Sequence, residues 1–217
     1  MSHGNPLILK ISNIDENLRS ILLDHPYFSN TSSFELQDNF IKENPNSKFD
    51  QAVIEFLSKE NYDYRDMLIE YWFQSHPNNI CNGLPPHCDY NFVYREKMKL
   101  EGDDWPHKVD KSLIVSPITI IVYLELSNDL IGGELGISSQ TWYNEATPVA
   151  QSTLNNIKNY PYFLHTPIQD QVLYFKGSEN YHWIEPLHAG IRKSMLINFW
   201  PVDLDIFRKS YFEQQND

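Results

Sequence analysis

The second half of the chain is a succession of short apolar segments separated by turn-forming residues. From Leu113 onward, stretches rich in Ile, Val, Tyr and Phe alternate with Gly, Pro and Asn. Such segments are typical of short β-strands in all-β domains. The pattern predicts a mainly β (α+β) fold, a double-stranded β-helix or jelly roll, with N-terminal helices that buttress one sheet.

The first third of the chain has helical periodicity. Asn13 or Asp15 can cap a helix over residues 14–23, and a second helix is predicted over 47–59. Asp50 and Glu55 are expected on the exposed face of the second helix. The residues expected on the buried faces are Leu18, Ile21, Leu22, Ala52, Val53, Phe56 and Leu57. At 217 residues, one domain is expected, with a helical part at about 1–66 and a jelly-roll core at about 67–203.

A histidine and an aspartate stand two positions apart at His87 and Asp89. In an extended strand, residues two apart project to the same side, so an imidazole and a carboxylate can meet at one point. His182, arriving from another strand, would complete a 2-His-1-carboxylate facial triad. Such a triad binds a ferrous ion and leaves three adjacent positions open. These residues are therefore candidate metal ligands and the candidate catalytic centre.

A cation and a hydroxyl follow the distal histidine at fixed spacing. Arg192 comes ten residues after His182. Ser194 follows two residues later and is expected on the same face of a predicted strand as Arg192. The planar guanidinium suits a carboxylate, and the hydroxyl can add a hydrogen bond. Together with the predicted triad, this pair indicates an oxygenase that binds a carboxylate-containing co-substrate.

The order of these residues resembles the Fe(II)/2-oxoglutarate-dependent dioxygenases, most closely their prolyl-hydroxylase-like branch. The H-x-D pair is followed by a distal histidine within HWIEPLHAGIRKS at 182–194 and an apolar strand. Segments 117–125, 132–135 and 166–175 also resemble that branch, so the match runs over about 70–201. Asp170 and Gln171 stand where the family usually has a glycine turn, and Glu125 replaces its usual Asn.

The resemblance implies cofactors and a reaction. Fe(II), 2-oxoglutarate and O2 would be required, with ascorbate as an optional reductant. 2-Oxoglutarate would be decarboxylated to succinate while a substrate C–H bond is hydroxylated. By resemblance, the hydroxyl of Tyr123 would join Arg192 and Ser194 at the distal carboxylate of 2-oxoglutarate. The expected substrate is a peptide, prolyl peptides included, or a small metabolite. Asp89 favours hydroxylation, because halogenating relatives have a small residue there.

Alternatives remain at this stage. A cupin-type metal enzyme that does not use 2-oxoglutarate would not need Arg192 and Ser194, and a non-catalytic jelly-roll module would be expected to lack a ligand. A zinc site from Cys81, Cys88 and His87 has poor spacing. Cys88 is expected to pack on the face opposite the triad. Four further histidines are expected away from the metal, namely His76, His107, His165 and His188. The first three are expected at the surface or in loops, and His188 at the surface or beside the ligands.

The charge of the chain disfavours a nucleic-acid partner. Seventeen Lys and Arg face 29 Asp and Glu, a formal net charge of -12, and the basic run at 95–99 is followed at once by acidic residues. Two cysteines are too few for a disulfide framework. No apolar run reaches the ~20 residues of a membrane helix, and residues 1–6 lack a signal-peptide pattern. A cytoplasmic protein without a membrane partner is expected; the oligomeric state is left open.

Two long segments interrupt the rhythm of short strands, at 91–110 and 138–165. Long connections in compact domains often cover a functional site. Both are rich in aromatic residues, including Trp105 and Trp142. They are expected to form the rim over the substrate, or otherwise to pack on the sheets; the composition favours neither.

Overall fold

The computed structural model describes residues 7–29, 39–41, 47–62, 67–76, 83–89, 116, 118–141, 157 and 160–200. It has two α-helices, α1 (Glu16–Leu23) and α2 (Lys48–Lys59), and a 3-10 turn at Pro26–Ser29. The strands are β1 (Ile8–Asn13), β2 (Asn39–Ile41), β3 (Leu68–His76), β4 (Leu84–His87), β5 (Thr119–Leu126), β6 (Ile131–Gly132), β7 (Leu135–Thr141), β8 (Tyr162–His165), β9 (Gln171–Phe175), β10 (Asn180–Ile184), β11 (Leu187–Ala189) and β12 (Arg192–Trp200).

Ten of the strands form two antiparallel sheets that face each other, and β6 and β11 pair as a separate two-stranded sheet. The major sheet has the order β1-β9-β5-β12-β3-β2, and the minor sheet has the order β4-β10-β7-β8. Apart from β6 and β11, the strands from β3 to β12 alternate between the major and the minor sheet, except that β7 and β8 follow each other and pair within the minor sheet. This winding is that of a double-stranded β-helix. The predicted jelly roll is therefore confirmed.

Apolar side chains fill both sides of the major sheet. One face packs against α1 and α2, with Leu22, Phe56, Phe73 and Ile197 among its buried residues. The other face packs against the minor sheet. That inner cluster contains Ile121, Tyr123, Leu135, Ile137, Leu173, Phe175, Ile184 and Leu196. Because both faces are covered, the central strands β5 and β12 are almost continuously buried.

Both predicted helices are present, one with an unexpected buried acid. Asp15 caps α1 by accepting from the backbone N–H of Leu18, and Ser47 caps α2 in a capping box with Asp50. Glu55 is exposed as expected, but Asp50 is only 8% exposed. Its carboxylate accepts a hydrogen bond from the Tyr71 hydroxyl at 2.7 Å. The exposure predicted for Asp50 was wrong because the capping position turns this residue toward β3.

The sequence had indicated a helical N-terminal part, but this part also contains two strands. β1 pairs with β9, and β2 pairs with β3, so the N-terminal part supplies both edges of the major sheet. Glu60, at the end of α2, also accepts hydrogen bonds from Lys10, Ser12 and Tyr174. Neither helix in the described ranges has the length and apolar content needed to cross a bilayer.

The two long segments lie largely outside the described residues. All of 91–110, including Trp105, is outside them, as is Trp142. The bounds of the second segment were too wide, because its ends belong to β7 and β8. The substrate-covering role of these segments stays a prediction.

Candidate metal and co-substrate site

Three potential metal ligands meet at one end of the minor sheet. His87 is the last residue of β4, and β10 places His182 directly opposite it in the register. The Nε2 atoms of His182 and His87 lie 3.7 and 3.8 Å from Oδ1 of Asp89. One potential ligand atom from each residue lies within 4.8 Å of the others. The structure thus brings together all three residues that the sequence proposed.

Hydrogen bonds orient both imidazoles toward a common point. Nδ1 of His87 lies 2.8 Å from the carbonyl oxygen of Pro85, and Nδ1 of His182 lies 3.2 Å from that of Asn180. A carbonyl oxygen can only accept, so each Nδ1 carries the hydrogen in the neutral ring. Each Nε2 then has a lone pair available on the side facing Asp89. This is the tautomer that a metal bound through Nε2 requires.

His182 is the most deeply placed of the three. It is 2% exposed, and its ring lies 5.1 Å from that of Phe175 and 4.3 Å from that of His87. Burial, reinforced by the neighbouring His87, lowers the pKa of His182, while Asp89 opposes the shift. Nε2 of His182 has no hydrogen-bond partner among the described residues. Two neutral imidazoles and a carboxylate are a suitable donor set for Fe(II).

A buried cation lies on the facing sheet. Arg192 is 0% exposed, and none of its three guanidinium nitrogens finds a hydrogen-bond partner within the described ranges. The hydroxyls of Ser194 and Tyr123, which are cross-strand neighbours, are likewise buried without a partner there. A buried arginine without an acceptor costs several kcal/mol, so this arrangement suits a bound anion. A carboxylate would satisfy the guanidinium and both hydroxyls.

Tyr123 and Gly133 shape the surroundings of the guanidinium. The Arg192 Cζ atom lies 5.3 Å from the centre of the Tyr123 ring. The guanidinium and the Tyr123 hydroxyl do not form a hydrogen bond with each other. Burial raises the pKa of the Tyr123 hydroxyl, and the charge of Arg192 opposes that rise. Gly133 has a φ of 74°, and a Cβ there would lie 3.3 Å from Cδ of Arg192. The glycine turn therefore allows close approach to the arginine.

The two halves of the site face the same interior. The inner cluster between the sheets contains Phe175, which contacts His182, and Tyr123, which contacts Arg192. His87 and His182 project from the minor sheet, Asp89 follows β4, and the cation projects from the major sheet. A ligand with a metal-binding end and a carboxylate end can therefore be held between them.

Two polar residues near Arg192 were not anticipated from the sequence. Gln74 lies opposite Ser194 in the β3–β12 register, and its buried Oε1 has no partner in the described part of the chain. The sequence offered little signal for it, because β3 also contains the polar residues Glu70, Ser75 and His76. His165 was expected near the surface, but it is 9% exposed and stacks on the Tyr123 ring at 6.2 Å. Its Nε2 lies 2.6 Å from Oε1 of Gln171, an interaction that the sequence did not reveal.

His188 and Cys88 do not join the three metal ligands, and the remaining histidines and cysteine named from the sequence lie outside the described atoms. His188 is exposed on β11, as expected. Cys88 packs with Tyr181 and Trp183 on the opposite face of the minor sheet, which confirms its predicted packing role. His107, Cys81 and the side chain of His76 lie outside the described residues.

Comparisons with known proteins agree at the level of fold. No protein-family model matches the sequence, and no curated protein matches it significantly. HygX from Streptomyces hygroscopicus, solved with nickel and 2-oxoglutarate bound, is 9% identical with a TM-score of 0.51; the alignment covers 89% of this chain and 82% of HygX. AviO1 from Streptomyces viridochromogenes Tue57 is 11% identical with a TM-score of 0.51, covering 89% of this chain and 90% of AviO1.

A prolyl hydroxylase from Trichoplax adhaerens, solved with a hypoxia inducible factor peptide fragment, is 14% identical over 93% of this chain and 86% of its own. Its TM-score is 0.48. At such identities the similarity concerns the fold. The chain has the double-stranded β-helix fold that HygX and AviO1 share.

Proposed function

We propose that this protein is an Fe(II)/2-oxoglutarate-dependent oxygenase that hydroxylates a C–H bond of a peptide or small metabolite. The observation that carries the proposal is the fully buried Arg192, which faces the same interior as the triad and lacks an acceptor among the described residues. A structural arginine would be expected to have an acidic partner. HygX, which has the same fold, was solved with 2-oxoglutarate bound.

The residues divide into two binding groups. His87, Asp89 and His182 would hold the iron, and Arg192, Ser194 and Tyr123 would hold the distal carboxylate of 2-oxoglutarate. Iron, 2-oxoglutarate and O2 together would supply the oxidant for C–H hydroxylation, with release of succinate and CO2. The protein's own contribution is orientation and exclusion of water by the apolar cluster between the sheets. A cytoplasmic, reducing setting would suit a ferrous enzyme.

The test is binding of the two ligands to the purified protein. The wild type should bind one Mn(II) as an iron substitute, and then 2-oxoglutarate, in isothermal titration calorimetry. Arg192→Ala should weaken 2-oxoglutarate binding at least tenfold, because one partner of a charge-assisted pair is lost, and should leave Mn(II) binding intact. His182→Ala should abolish Mn(II) binding. An Arg192→Ala protein that binds 2-oxoglutarate normally would refute the role of the arginine.

A second experiment separates the proposed reaction from a cupin-type enzyme or a non-catalytic module. Succinate release from 2-oxoglutarate would be measured with Fe(II), with and without ascorbate, while prolyl peptides, free amino acids and small metabolites are added in turn. The proposal expects succinate release to rise with the right substrate. Absence of any succinate from a protein that binds Fe(II) would contradict the proposed reaction and favour the cupin-type enzyme or the non-catalytic module.

A further inference from the structure

Resting on the metal site of the proposed function, we propose that Thr119 is a positioning residue that selects which oxygen of Asp89 faces the metal. We further infer that Asn198 donates a hydrogen bond to Thr119 and thereby aims the threonine hydroxyl at Asp89. Neither residue belongs to the motif that identified the triad. Both lie on the major sheet, whereas His87 and His182 lie on the minor sheet.

The two oxygens of Asp89 have different environments. Oδ1 faces the Nε2 atoms of His87 and His182 at 3.8 and 3.7 Å. Oδ2 instead lies 3.1 Å from the hydroxyl of Thr119. The backbone N–H of Asp89 also donates to the carbonyl of Gly177 at 3.0 Å. The residue is therefore held at its backbone and at one carboxylate oxygen, which leaves Oδ1 directed at the imidazoles.

The number of hydrogens available around Thr119 favours one direction for each of its hydrogen bonds. Its Oγ1 lies 3.1 Å from Oδ2 of Asp89 and 2.6 Å from the terminal atom of Asn198 placed as Oδ1. One hydroxyl hydrogen cannot serve two acceptors. An ionised carboxylate can only accept, so the hydrogen belongs on the bond to Asp89. The amide of Asn198 must then present its nitrogen, which a half-turn of the side-chain amide achieves without moving other atoms.

The surroundings allow little other arrangement. Thr119 and Asn198 are 0% and 1% exposed and are direct partners in the β5–β12 register, so their separation is set by the sheet. A Cβ at Gly177 would lie 2.3 Å from Oγ1 of Thr119 and 2.7 Å from Oδ2 of Asp89. A side chain at position 177 would therefore displace this hydrogen bond. Glycine at position 177 therefore leaves room for the Asp89 carboxylate and its hydrogen bond to Thr119.

The first test removes the hydroxyl at constant size. Thr119→Val should weaken Mn(II) binding about tenfold in calorimetry, the lower end of the range for groups that orient metal ligands. Thr119→Ser, which retains a hydroxyl, should bind within about threefold of the wild type. Ser58→Ala removes an exposed helical hydroxyl as a matched control and should change nothing. Thermal unfolding of the metal-free variants verifies the fold.

The second test determines the direction of the Asn198 bond and needs no change at Thr119. Asn198→Leu keeps the size of the side chain and removes its donor. If Asn198 donates to Thr119, Mn(II) affinity should fall about two- to fivefold, as for loss of one neutral hydrogen bond. If Asn198 instead accepts from Thr119, its removal frees the hydroxyl for Asp89 and the affinity stays equal or rises. That second result overturns the proposed role of Asn198.

The outcomes also separate this inference from the proposed function. If the wild type does not bind Mn(II), or His182→Ala still binds it normally, the metal site itself is wrong. If His182→Ala abolishes binding while Thr119→Val and Asn198→Leu both bind like the wild type, the metal site stands and the positioning role of Thr119 is refuted.

Discussion

At the residue scale, four polar side chains converge on the inner face of the major sheet. In the described part of the chain, no acceptor pairs with the buried donor groups of Arg192, Ser194 and Tyr123. Gln74 lies across from Ser194 on the neighbouring strand. Polar groups in such a place are normally paired, because each unpaired one loses its hydration without compensation. Their concentration around one guanidinium is best explained by a ligand that pairs with several of them at once.

This convergence predicts a role for Gln74 in co-substrate binding. Gln74→Leu should raise the dissociation constant of 2-oxoglutarate about two- to tenfold, the usual effect of losing one neutral hydrogen bond. Mn(II) binding should be unchanged, because Gln74 is not one of the three metal ligands. Gln51→Leu on the exposed face of α2 serves as the control. Equal affinity for 2-oxoglutarate in the wild type and Gln74→Leu would show that Gln74 lies outside the binding site.

At the element scale, α2 joins the N-terminal part to the major sheet. Its buried face carries Val53, Phe56 and Leu57, which pack against the outer face of the sheet. Its start is defined by the capping box between Ser47 and Asp50, with both bonds at 3.0 Å. The helix therefore begins at a position determined locally and is stabilised mainly by its apolar face.

Loss of the cap should destabilise the protein measurably. Ser47→Ala is expected to reduce the free energy of unfolding by about 1 kcal/mol, because the N–H of Asp50 loses its acceptor. Urea denaturation followed by far-ultraviolet circular dichroism gives this value. Ser58→Ala is the internal comparison, since its hydroxyl only bonds back to the Ile54 carbonyl within the same helix. Equal losses in the two variants would contradict a specific role for the cap.

At the scale of the whole molecule, His25 connects the helices to the major sheet. Its ring lies 4.5 Å from that of Phe49 and 4.4 Å from that of Phe73. Nδ1 accepts a hydrogen bond from the backbone N–H of Tyr27, which requires an unprotonated Nδ1. Burial lowers the pKa of His25 below its usual 6.5, and the nearby Asp50 only partly opposes this. The fold therefore prefers the neutral imidazole.

This preference predicts a loss of stability in mild acid. Below about pH 6.5 the unfolded chain takes up a proton on His25 that the folded chain resists, so the contribution of His25 is present above that pH and lost as the pH falls. In His25→Asn, whose side-chain oxygen can accept from Tyr27, the free energy of unfolding should depend less on pH between 7.5 and 5. Urea denaturation of the metal-free proteins measures it. Parallel profiles for wild type and variant would contradict the prediction.

The residue types and their spacing were enough to predict much of this molecule. The alternation of apolar strands and turns indicated the double-stranded β-helix. Helical periodicity, with Asn13 or Asp15 as the candidate cap of the first helix, located both helices to within two residues. The motif also predicted that three distant side chains would meet, and the structure brings together His87, Asp89 and His182. Periodicity and capping act within a few residues, so they are present in the sequence itself.

The remaining features depend on contacts between distant parts of the chain. The strands β1 and β2 at the sheet edges, the burial of Asp50 under Tyr71 and the position of His165 beside Tyr123 were missed. Each depends on which distant strand completes an edge or covers a face. The local sequence pattern indicates whether a segment is a helix or a strand, but it does not indicate which distant segment will pair with it or cover it.

What the sequence determined by itself was therefore the fold class, the positions of the two helices and the types of residue in the candidate site. Tertiary structure alone decided how that site is supported. The hydrogen bond from Thr119 to Asp89 spans 30 positions, and that between Thr119 and Asn198 spans 79. Such contacts follow from the register of paired strands, and a shift of one residue would turn each side chain to the other face of its sheet.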